Sequence, residues 1–272
     1  MIKFLHSNIP EAILLHIGPL QIHWYGLLMV VGGLLGFWLV LFLAKQYKQD
    51  KSFFSDLLLY WVIGAILGAR VYYVLYAWDF YKDNLVDVLK IWQGGLAIHG
   101  IILGGFIATF IYCRIKKKDF WLTADIVAVG LVLTQIVGRV GNYFNQEIFG
   151  LPTSQAWGIP IEIMNRPVEY LQAEYFHPTF LYESLLNIFV LLVLLFLTSV
   201  QIKKHKWPAG TIFLSYLILY SVVRFSLEFL RIDYSPLVFG VRWAQIYSVL
   251  LGGGAIVFMF IRIVNRCRFQ RK

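Results

Sequence analysis

Charged residues are scarce in this chain, and their scarcity argues against a soluble protein. Asp, Glu, Lys and Arg make up 14% of the 272 residues, against roughly a quarter in a typical soluble domain. There are two cysteines, Cys113 and Cys267, which are too few and too far apart for a disulfide framework or a zinc motif. The sequence also lacks GxSxG, HExxH and paired aspartates inside an apolar run, which argues against an intramembrane protease.

Apolar residues make up 59% of the chain and fall into long runs. A helix that spans a membrane needs about 20 mostly apolar residues. The sequence therefore predicts an all-α integral membrane protein with seven transmembrane helices. It shows no internal repeat or linker, so we expect residues 1–272 to form a single transmembrane domain. The predicted spans cover residues 22–44, 57–76, 95–113, 122–140, 179–200, 210–230 and 244–262.

A polar stretch separates the fourth and fifth apolar runs. Residues 141–178 contain four of the eight prolines of the chain, and proline interrupts both helices and sheets. The stretch is too polar to cross a bilayer, yet it is long enough to form a small structure of its own. We therefore expect a small, irregular cap outside the membrane.

The 24 basic residues exceed the 15 acidic ones, which alone would suggest a nucleic-acid partner. Fifteen of the 24, however, lie in the first, third and fifth connections and the C-terminal tail, on one side of a seven-helix chain. The positive-inside rule places that side in the cytoplasm. We therefore expect the N-terminus and the cap outside, the C-terminus inside, membrane lipids as neighbours and no nucleic-acid partner.

With this topology, every predicted helix brings polar side chains to the outer end of the bilayer. Ionisable groups at membrane depth are costly and usually face one another or a cavity, so the convergence predicts a functional site. The residues concerned are His23, Trp24, Tyr25, Arg70, Gln93, His99, Arg139, Asn142, Asn145, Glu147, His177, Glu183, Arg224, Glu228, Arg231, Arg242 and Gln245.

The spacing of these residues indicates a phosphate site. Arg224, Glu228 and Arg231 stand at i, i+4 and i+7, which puts them on one helix face and lets Glu228 pair with either arginine. Guanidinium groups match phosphate in bidentate geometry, and a phosphate at the outer surface is most simply a phospholipid headgroup. His99, among small residues near the same level, is the side chain best suited to move a proton near neutral pH.

Each of these residues also has a structural interpretation. Arginines at helix ends often extend to lipid phosphates without further function. Taken alone, Arg70 or Arg242 is explained in this way. The face formed by Arg224, Glu228 and Arg231 is compatible with a structural ion-pair ladder. Tryptophans near the predicted span ends fit aromatic belts. The combination of Arg139, Asn142, His99 and Glu147 at one depth favours a site.

Five ordered motifs over nearly the whole chain resemble the bacterial prolipoprotein diacylglyceryl transferases. Gly150 follows the longest motif at the family's spacing, and the last helix opens with a similar AQIYS run. Two departures are local: Gly100-Ile101 follows His99 where the family usually has two glycines, and Tyr143 replaces its common Phe. The motifs are HWYG (23–26), WQGGLAIHG (92–100) after GAR (68–70), GRVGNYFNQE (138–147), HPTFLYE (177–183) and RFSLEFLR (224–231).

The resemblance implies a reaction and its partners. The chain would move the sn-1,2-diacylglyceryl group of phosphatidylglycerol to the lipobox cysteine thiol of a preprolipoprotein signal peptide, releasing sn-glycerol 1-phosphate. This would be the first step of lipoprotein maturation, at the outer face of the bacterial cytoplasmic (inner) membrane. No cofactor or metal is implied, because the donor lipid already carries its leaving group.

The resemblance also implies roles for named residues. Arg139 and Arg224 would hold the lipid phosphate, and His99 would act as base for the thiol, although a mechanism dominated by the arginines, with His99 only positioning groups, stays open. The remaining residues would bind substrate or shape the pocket. They are Tyr25, Arg70, Asn142, Asn145, Glu147, Gly150, Glu183, Glu228 and Arg231.

Two other classes of function compete with this one. A transporter would carry polar groups along a path across the membrane, but most predicted spans lack charge at their centres, and no pair of broken helices is related by a repeat. A non-catalytic lipid-binding protein is set aside by the resemblance alone. Release of glycerol phosphate would favour the transferase, whereas flux of a solute without that release would favour a transporter.

Overall fold

The computed structural model describes residues 2–233 and 235–270, with side chains for 5–233 and 235–266. Cys267 and the basic residues beyond it lie outside the described side chains. Over the described ranges the chain is mostly helical, as predicted. It divides into two compact units, Met1–Val40 with Asp125–Lys272, and Leu41–Ala124.

In the described part of the chain, long helices are accompanied by six short strands that pair as three two-stranded sheets. Single 3-10 turns lie at Leu85–Leu89, Ile91–Gln93, Ile163–Asn165 and Val168–Tyr170. The elements are α1 (Ile2–Ser7), β1 (Ile13–Ile17), β2 (Leu20–His23), α2 (Trp24–Gln46), α3 (Lys51–Tyr76), α4 (Trp78–Tyr81), α5 (Ile98–Ile115), α6 (Phe120–Phe144), β3 (Ile159–Pro160), β4 (Tyr175–Phe176), α7 (Thr179–Lys204), α8 (Thr211–Leu227), β5 (Leu237–Val238), β6 (Val241–Arg242) and α9 (Trp243–Gln270).

All seven predicted apolar stretches coincide with helices. By length and composition, α2, α3, α5, α6, α7 and the Trp243–Arg266 part of α9 can each cross a membrane, which makes six candidate spans in the described residues. Helix α8 has 17 residues and is about 25 Å long, against a hydrocarbon core of roughly 30 Å. The structure therefore supports a multi-pass membrane protein with six full-length apolar helices and one shorter one.

Helix ends differ from the predicted edges where local chemistry extends them. Helix α3 begins at Lys51, six residues before its apolar run, because Asp50 accepts hydrogen bonds from the Ser52 amide (2.9 Å) and hydroxyl (2.7 Å). This is an N-cap, and the Ser52 hydrogen bonds lower the pKa of Asp50. Helix α6 continues to Phe144, so the segment between α6 and α7 starts four residues later than the predicted residue 141.

In the unit Leu41–Ala124, glycines let α3 and α5 approach each other closely. A Cβ atom on Gly100 would lie 2.2 Å from the carbonyl oxygen of Gly68, and one on Gly104 would lie 2.1 Å from that of Gly64. Both helices thus carry a GxxxG pattern at their contact, which is how helices pack tightly in membranes.

In the larger unit, α8 packs against α7 and α9. The N-terminal end of α8 is held by the buried Asp125 of α6, which accepts hydrogen bonds from the amides of Gly210 and Phe213, both at 2.7 Å. At the same end, Arg262 of α9 donates to the Ala209 carbonyl at 2.7 Å. The N-terminal parts of α6 and α8 and the C-terminal part of α9 are therefore held together at one end of this unit.

The segment between α6 and α7 has a core of its own, although the sequence predicts only an irregular cap. Strands β3 and β4 pair there, and six buried side chains form its apolar centre. The N-terminal segment lies on it, since Tyr143 donates to the Asn8 carbonyl at 3.1 Å and Gln146 to that of Pro10 at 3.2 Å. The apolar centre consists of Tyr143, Phe149, Ile159, Ile161, Phe176 and Phe180.

Candidate active site

Charged side chains collect at one end of the helices of the larger unit. Arg139 lies in the last two turns of α6, Glu183 in the second turn of α7 and Arg224 in the last turn of α8. Arg242 lies directly before α9. Their side chains are connected by ion pairs, so the ends of four helices meet here. We call this group, with Glu228, Arg231 and Asp233, the arginine cluster.

Glu183 joins two arginines of the cluster. Its Oε1 lies 2.7 Å from Nη2 of Arg139, and its Oε2 lies 3.6 Å from Nη1 of Arg231. The Glu183 side chain is only 3% exposed, so its charge is compensated by these arginines and not by water. Glu183 therefore fixes the guanidinium of Arg139 relative to the segment that follows α8.

Glu228 joins two further arginines, of which Arg224 is a partner that the sequence predicts and Arg242 is not. Its Oε2 lies 3.0 Å from Nη2 of Arg224, and its Oε1 lies 2.8 Å from Nε of Arg242. The predicted helix face through Arg231 is wrong, because α8 ends at Leu227. Beyond it the chain turns, and Arg231 forms an isolated β-bridge with Gly150.

Arg231 connects the two halves of the cluster. Its Nε and Nη2 lie 2.6 and 2.5 Å from Oδ2 of Asp233. The Nη1 and Nη2 groups of Arg242 donate to the backbone carbonyls of Arg231 and Asp233. Arg231 and Arg242 thus have their described nitrogens engaged, and they serve to position the cluster.

Arg224 differs from the other three arginines. Its Nη1 is buried and has no hydrogen-bond partner among the residues that the structure describes. The cluster holds four arginines against Glu183, Glu228 and Asp233, so it has one positive charge in excess. A buried donor without a partner is rare and calls for an explanation, and an anionic ligand provides one.

Asn142 extends this network from Arg139 toward the cap. Arg139 Nη1 donates to Asn142 Oδ1 at 3.2 Å, because the two residues stand three apart on α6 and share one helix face. Asn142 Nδ2 donates to Glu147 Oε1 at 2.8 Å, and Asn145 Nδ2 donates to the same oxygen at 3.2 Å. The predicted residues Arg139, Asn142, Asn145 and Glu147 thus form one continuous hydrogen-bonded chain.

Gly150 of the predicted site and Gly141 of α6 are positions of close approach. A Cβ on Gly150 would lie 2.6 Å from the carbonyl oxygen of Leu230, and the Gly150 amide donates to the His177 carbonyl at 2.8 Å. Gly150 therefore joins the cap to the segment after α8. A Cβ on Gly141 would lie 3.0 Å from the ring of Tyr25, which places the half-buried Tyr25 against α6 one turn from Asn145.

Arg70 belongs to the unit Leu41–Ala124, where its guanidinium is engaged by backbone carbonyls. It donates to Val88 (2.7 Å), Asp87 (2.6 Å), Gly94 (2.7 Å), Gly95 (3.1 Å) and Lys90 (3.4 Å). These bonds hold the whole segment that leads into α5. The contact of Arg70 with substrate stays a prediction, and its described role is to shape this loop.

His99 belongs to the same unit and is the second residue of α5. Its exposed ring stacks on Tyr72 of α3, with ring centroids 5.6 Å apart and planes at 28°. The glycine turn of Gly94 and Gly95, which Arg70 holds, lies four residues before His99. Arg70 and His99 are thus linked through this loop within their own unit.

Two members of the cluster have contacts that the sequence does not indicate. Arg242 is predicted only to lie at the outer end of its helix, and Asp233 is not among the predicted site residues. The sequence feature that could have indicated these contacts is the β5–β6 hairpin, in which Phe239 and Gly240 both have positive φ. An X-Gly pair between two β-branched residues is typical of such a two-residue turn.

Removing the charge of Glu228 is expected to destabilise the protein. In Glu228→Gln, the buried ends of Arg224 and Arg242 lose their shared carboxylate. Breaking a buried ion pair from one side costs roughly 3–5 kcal/mol, and we expect about 3 kcal/mol because water partly screens the two arginines. Unfolding in detergent micelles would measure it, with the exposed Glu169→Gln as control. Equal stability of both variants would contradict the contribution assigned to Glu228.

The comparison with protein families agrees with this geometry. Residues 12–261 match the family described as prolipoprotein diacylglyceryl transferase. The matched range contains all residues of the arginine cluster, the Asn142–Glu147 chain, Arg70 and His99. The resemblance noted in the sequence motifs is therefore confirmed over almost the whole chain.

Several relatives are similar along most of their length, and each is named phosphatidylglycerol–prolipoprotein diacylglyceryl transferase. The chain is 43% identical to the protein of Nostoc sp. over 266 residues, which cover 96% of this chain and 93% of that one. It is 44% identical to that of Thermosynechococcus vestitus (87% of both chains) and 42% identical to that of Geobacillus kaustophilus (89% and 88%). The chain belongs to the prolipoprotein diacylglyceryl transferase family.

Proposed function

We propose that this protein transfers the sn-1,2-diacylglyceryl group of phosphatidylglycerol to the lipobox cysteine thiol of preprolipoproteins. The names of its relatives support the two substrates. The observation that carries the proposal is the arginine cluster, with its excess positive charge and the unpaired Nη1 of Arg224. A phospholipid phosphate is the anion that a membrane-embedded guanidinium group meets most readily.

The reaction is a displacement at the glycerol carbon that carries the phosphate. The cysteine thiolate forms the new S–C bond, and the C–O bond to phosphate breaks. The phosphate ester leaves with the electron pair as sn-glycerol 1-phosphate, and the thiol proton goes to a base. Negative charge grows on the leaving oxygen as that bond breaks, so preorganised cations at this oxygen lower the barrier.

Arg139 and Arg224 are proposed to hold the phosphate. Arg139 is oriented from two sides by Asn142 and Glu183, and Arg224 is oriented by Glu228 through one nitrogen. This leaves the second terminal nitrogen of Arg224 to donate to a phosphate oxygen. Arg231 acts as a second-line cation, because its own pairs with Asp233 and Glu183 occupy it.

The polar chain next to Arg139 is proposed to bind the free hydroxyl groups of the phosphatidylglycerol headgroup. Asn142, Asn145 and Glu147 offer amide and carboxylate groups in one hydrogen-bonded row. Tyr25 and Gly150 shape the pocket by close packing. His99 is proposed as the base for the thiol on the strength of the family motif, and Arg70 supports the loop that precedes it.

The location of the reaction follows from the distribution of basic residues. We propose that residues 1–272 form one enzyme domain with seven spans in the bacterial cytoplasmic membrane, α8 being the seventh, with the N-terminus outside and the C-terminus inside. The arginine cluster and the cap would then face the extracytoplasmic side. Arg262 and Arg266 bond the carbonyls of Ala209 and His205 at the other end of the larger unit, the end proposed as cytoplasmic.

The direct test uses the purified full-length protein with phosphatidylglycerol in mixed micelles and a synthetic lipobox peptide. We expect release of glycerol phosphate together with a peptide whose mass increases by one diacylglyceryl group, in equal amounts. A peptide in which serine replaces the acceptor cysteine should give neither product. Glycerol phosphate release without peptide modification, or solute flux across vesicles without release, would overturn the proposal.

A further inference from the structure

A groove runs along the N-terminal segment of the larger unit, apart from the arginine cluster. Its main part is a cavity of about 630 Å³ between residues 10–16, residues 144–146 at the end of α6, and Glu162 with Asn165 of the cap. A second hollow of about 400 Å³ reaches Trp24 and shares the wall formed by Pro10, Ile13 and Phe144. We call the two together the N-terminal groove.

The charge of this groove is opposite to that of the arginine cluster. Glu11 and Glu162 line it, both side chains are exposed, and no lysine or arginine is among its described lining residues. An anionic phospholipid headgroup would be repelled here. A neutral or basic ligand is favoured, so the groove suits the prolipoprotein substrate of the proposed reaction and not phosphatidylglycerol.

One wall of the groove is the edge of a strand. Residues 13–16 of β1 line the cavity, and among the described residues β1 pairs only with β2. The backbone N–H and C=O groups on the other side of β1 thus form an open edge. An exposed strand edge is a template on which an extended peptide can add as a further strand.

A short hydrogen-bonded path connects the groove to the arginine cluster. Asn145 lines the cavity and donates to Glu147, which also accepts from Asn142, the partner of Arg139. A peptide lying in the groove would therefore pass beside the side chains that are proposed to hold the lipid headgroup.

We infer that the N-terminal groove binds the extended segment of the prolipoprotein that flanks its acceptor cysteine, as a strand added to the open edge of β1. This inference rests on the proposed function, since it names the site of the peptide substrate. Glu11 and Glu162 select neutral or basic residues in that segment, and the apolar side chains of Ile13 and Leu14 contact its side chains.

The test separates peptide binding from lipid binding by steady-state kinetics of the full-length protein. The double variant Glu11→Lys/Glu162→Lys reverses the charge of the groove, and Glu169→Lys/Glu174→Lys makes the same change on exposed cap residues outside it. The probe is a lipobox peptide with two lysines after the acceptor cysteine. The groove variant should raise its KM about tenfold by like-charge repulsion. The KM for phosphatidylglycerol and kcat should stay within twofold, and the control variant should match the wild type.

A second measurement does not depend on turnover. A photoreactive amino acid at position 14 should crosslink to a serine-substituted lipobox peptide, whereas one at position 168, which is exposed outside the groove, should not. An unchanged peptide KM in the groove variant, or equal crosslinking at both positions, would overturn the inference while transfer by the wild type leaves the proposed function intact. A raised KM for the lipid would instead assign the groove to the headgroup. Absence of transfer by the wild type would count against the function itself.

Discussion

Replacing Arg224 with alanine is expected to lower kcat for diacylglyceryl transfer by about 10²–10³-fold, the size of the effect when one preorganised donor to a developing negative charge is removed. In the described part of the chain, Arg224 has a buried terminal nitrogen without a partner, while Glu228 holds the other one. The loss should fall on kcat more than on the KM for the lipid, because the charge on the leaving oxygen is greatest in the transition state.

Two control variants accompany Arg224→Ala. One is a conservative substitution at the same position, and the other replaces an arginine far from the cluster. Arg224→Lys keeps the charge but loses the planar two-nitrogen geometry, so we expect it to recover only part of the rate. Arg262→Ala removes a half-buried arginine at the other end of the same unit and should keep activity per folded molecule within twofold. Near wild-type kcat in Arg224→Ala would remove this residue from the mechanism, and an equal loss in Arg262→Ala would show that the effect is on folding.

The helices could be predicted from the sequence because each apolar run is close to the thickness of a bilayer. The run at 210–230 shows the limit of this argument, since composition does not reveal that α8 stops at Leu227. The chain turns there because residues 228–233 are held by contacts distant in sequence, including the pairing of Gly150 with Arg231. The core between α6 and α7 cannot be predicted in the same way, because its strands have two residues each, too few for a detectable alternation.

The site could be predicted in its residue types but not in its pairing. Arg139 and Asn142 are both predicted site residues, and they contact each other because they stand three residues apart on α6. Glu228, by contrast, pairs with Arg242 across a hairpin, and Glu183 pairs with Arg139 and Arg231 from two other segments. Such partners depend on the tertiary arrangement, and the spacing of residues along one helix does not predict it. Arg70 illustrates the same limit, since its carbonyl partners lie in a loop without periodicity.

Replacing His99 with glutamine is expected to reduce transfer at pH 7 by roughly 10²–10⁴-fold, the range for loss of a general base. Glutamine keeps a polar side chain of similar length but cannot take the thiol proton. His99 is exposed and stacks on Tyr72, so the substitution removes no buried contact. The variant should keep the stability of the wild type in detergent, which unfolding measurements would check, so that the lost activity reports on chemistry.

The pH dependence of His99→Gln and Arg224→Ala distinguishes a mechanism in which His99 is the base from one that is dominated by the arginines. An ordinary cysteine thiol has a pKa of about 8.5, so raising the pH from 7 to 9 forms thiolate without any base. If His99 is the base, the deficit of His99→Gln shrinks by about tenfold or more over this interval. The deficit of Arg224→Ala stays constant, since stabilising the leaving phosphate does not depend on how the thiol lost its proton. A deficit of His99→Gln that is equal at pH 7 and pH 9 would make His99 a positioning residue and leave the arginine cluster as the main source of catalysis.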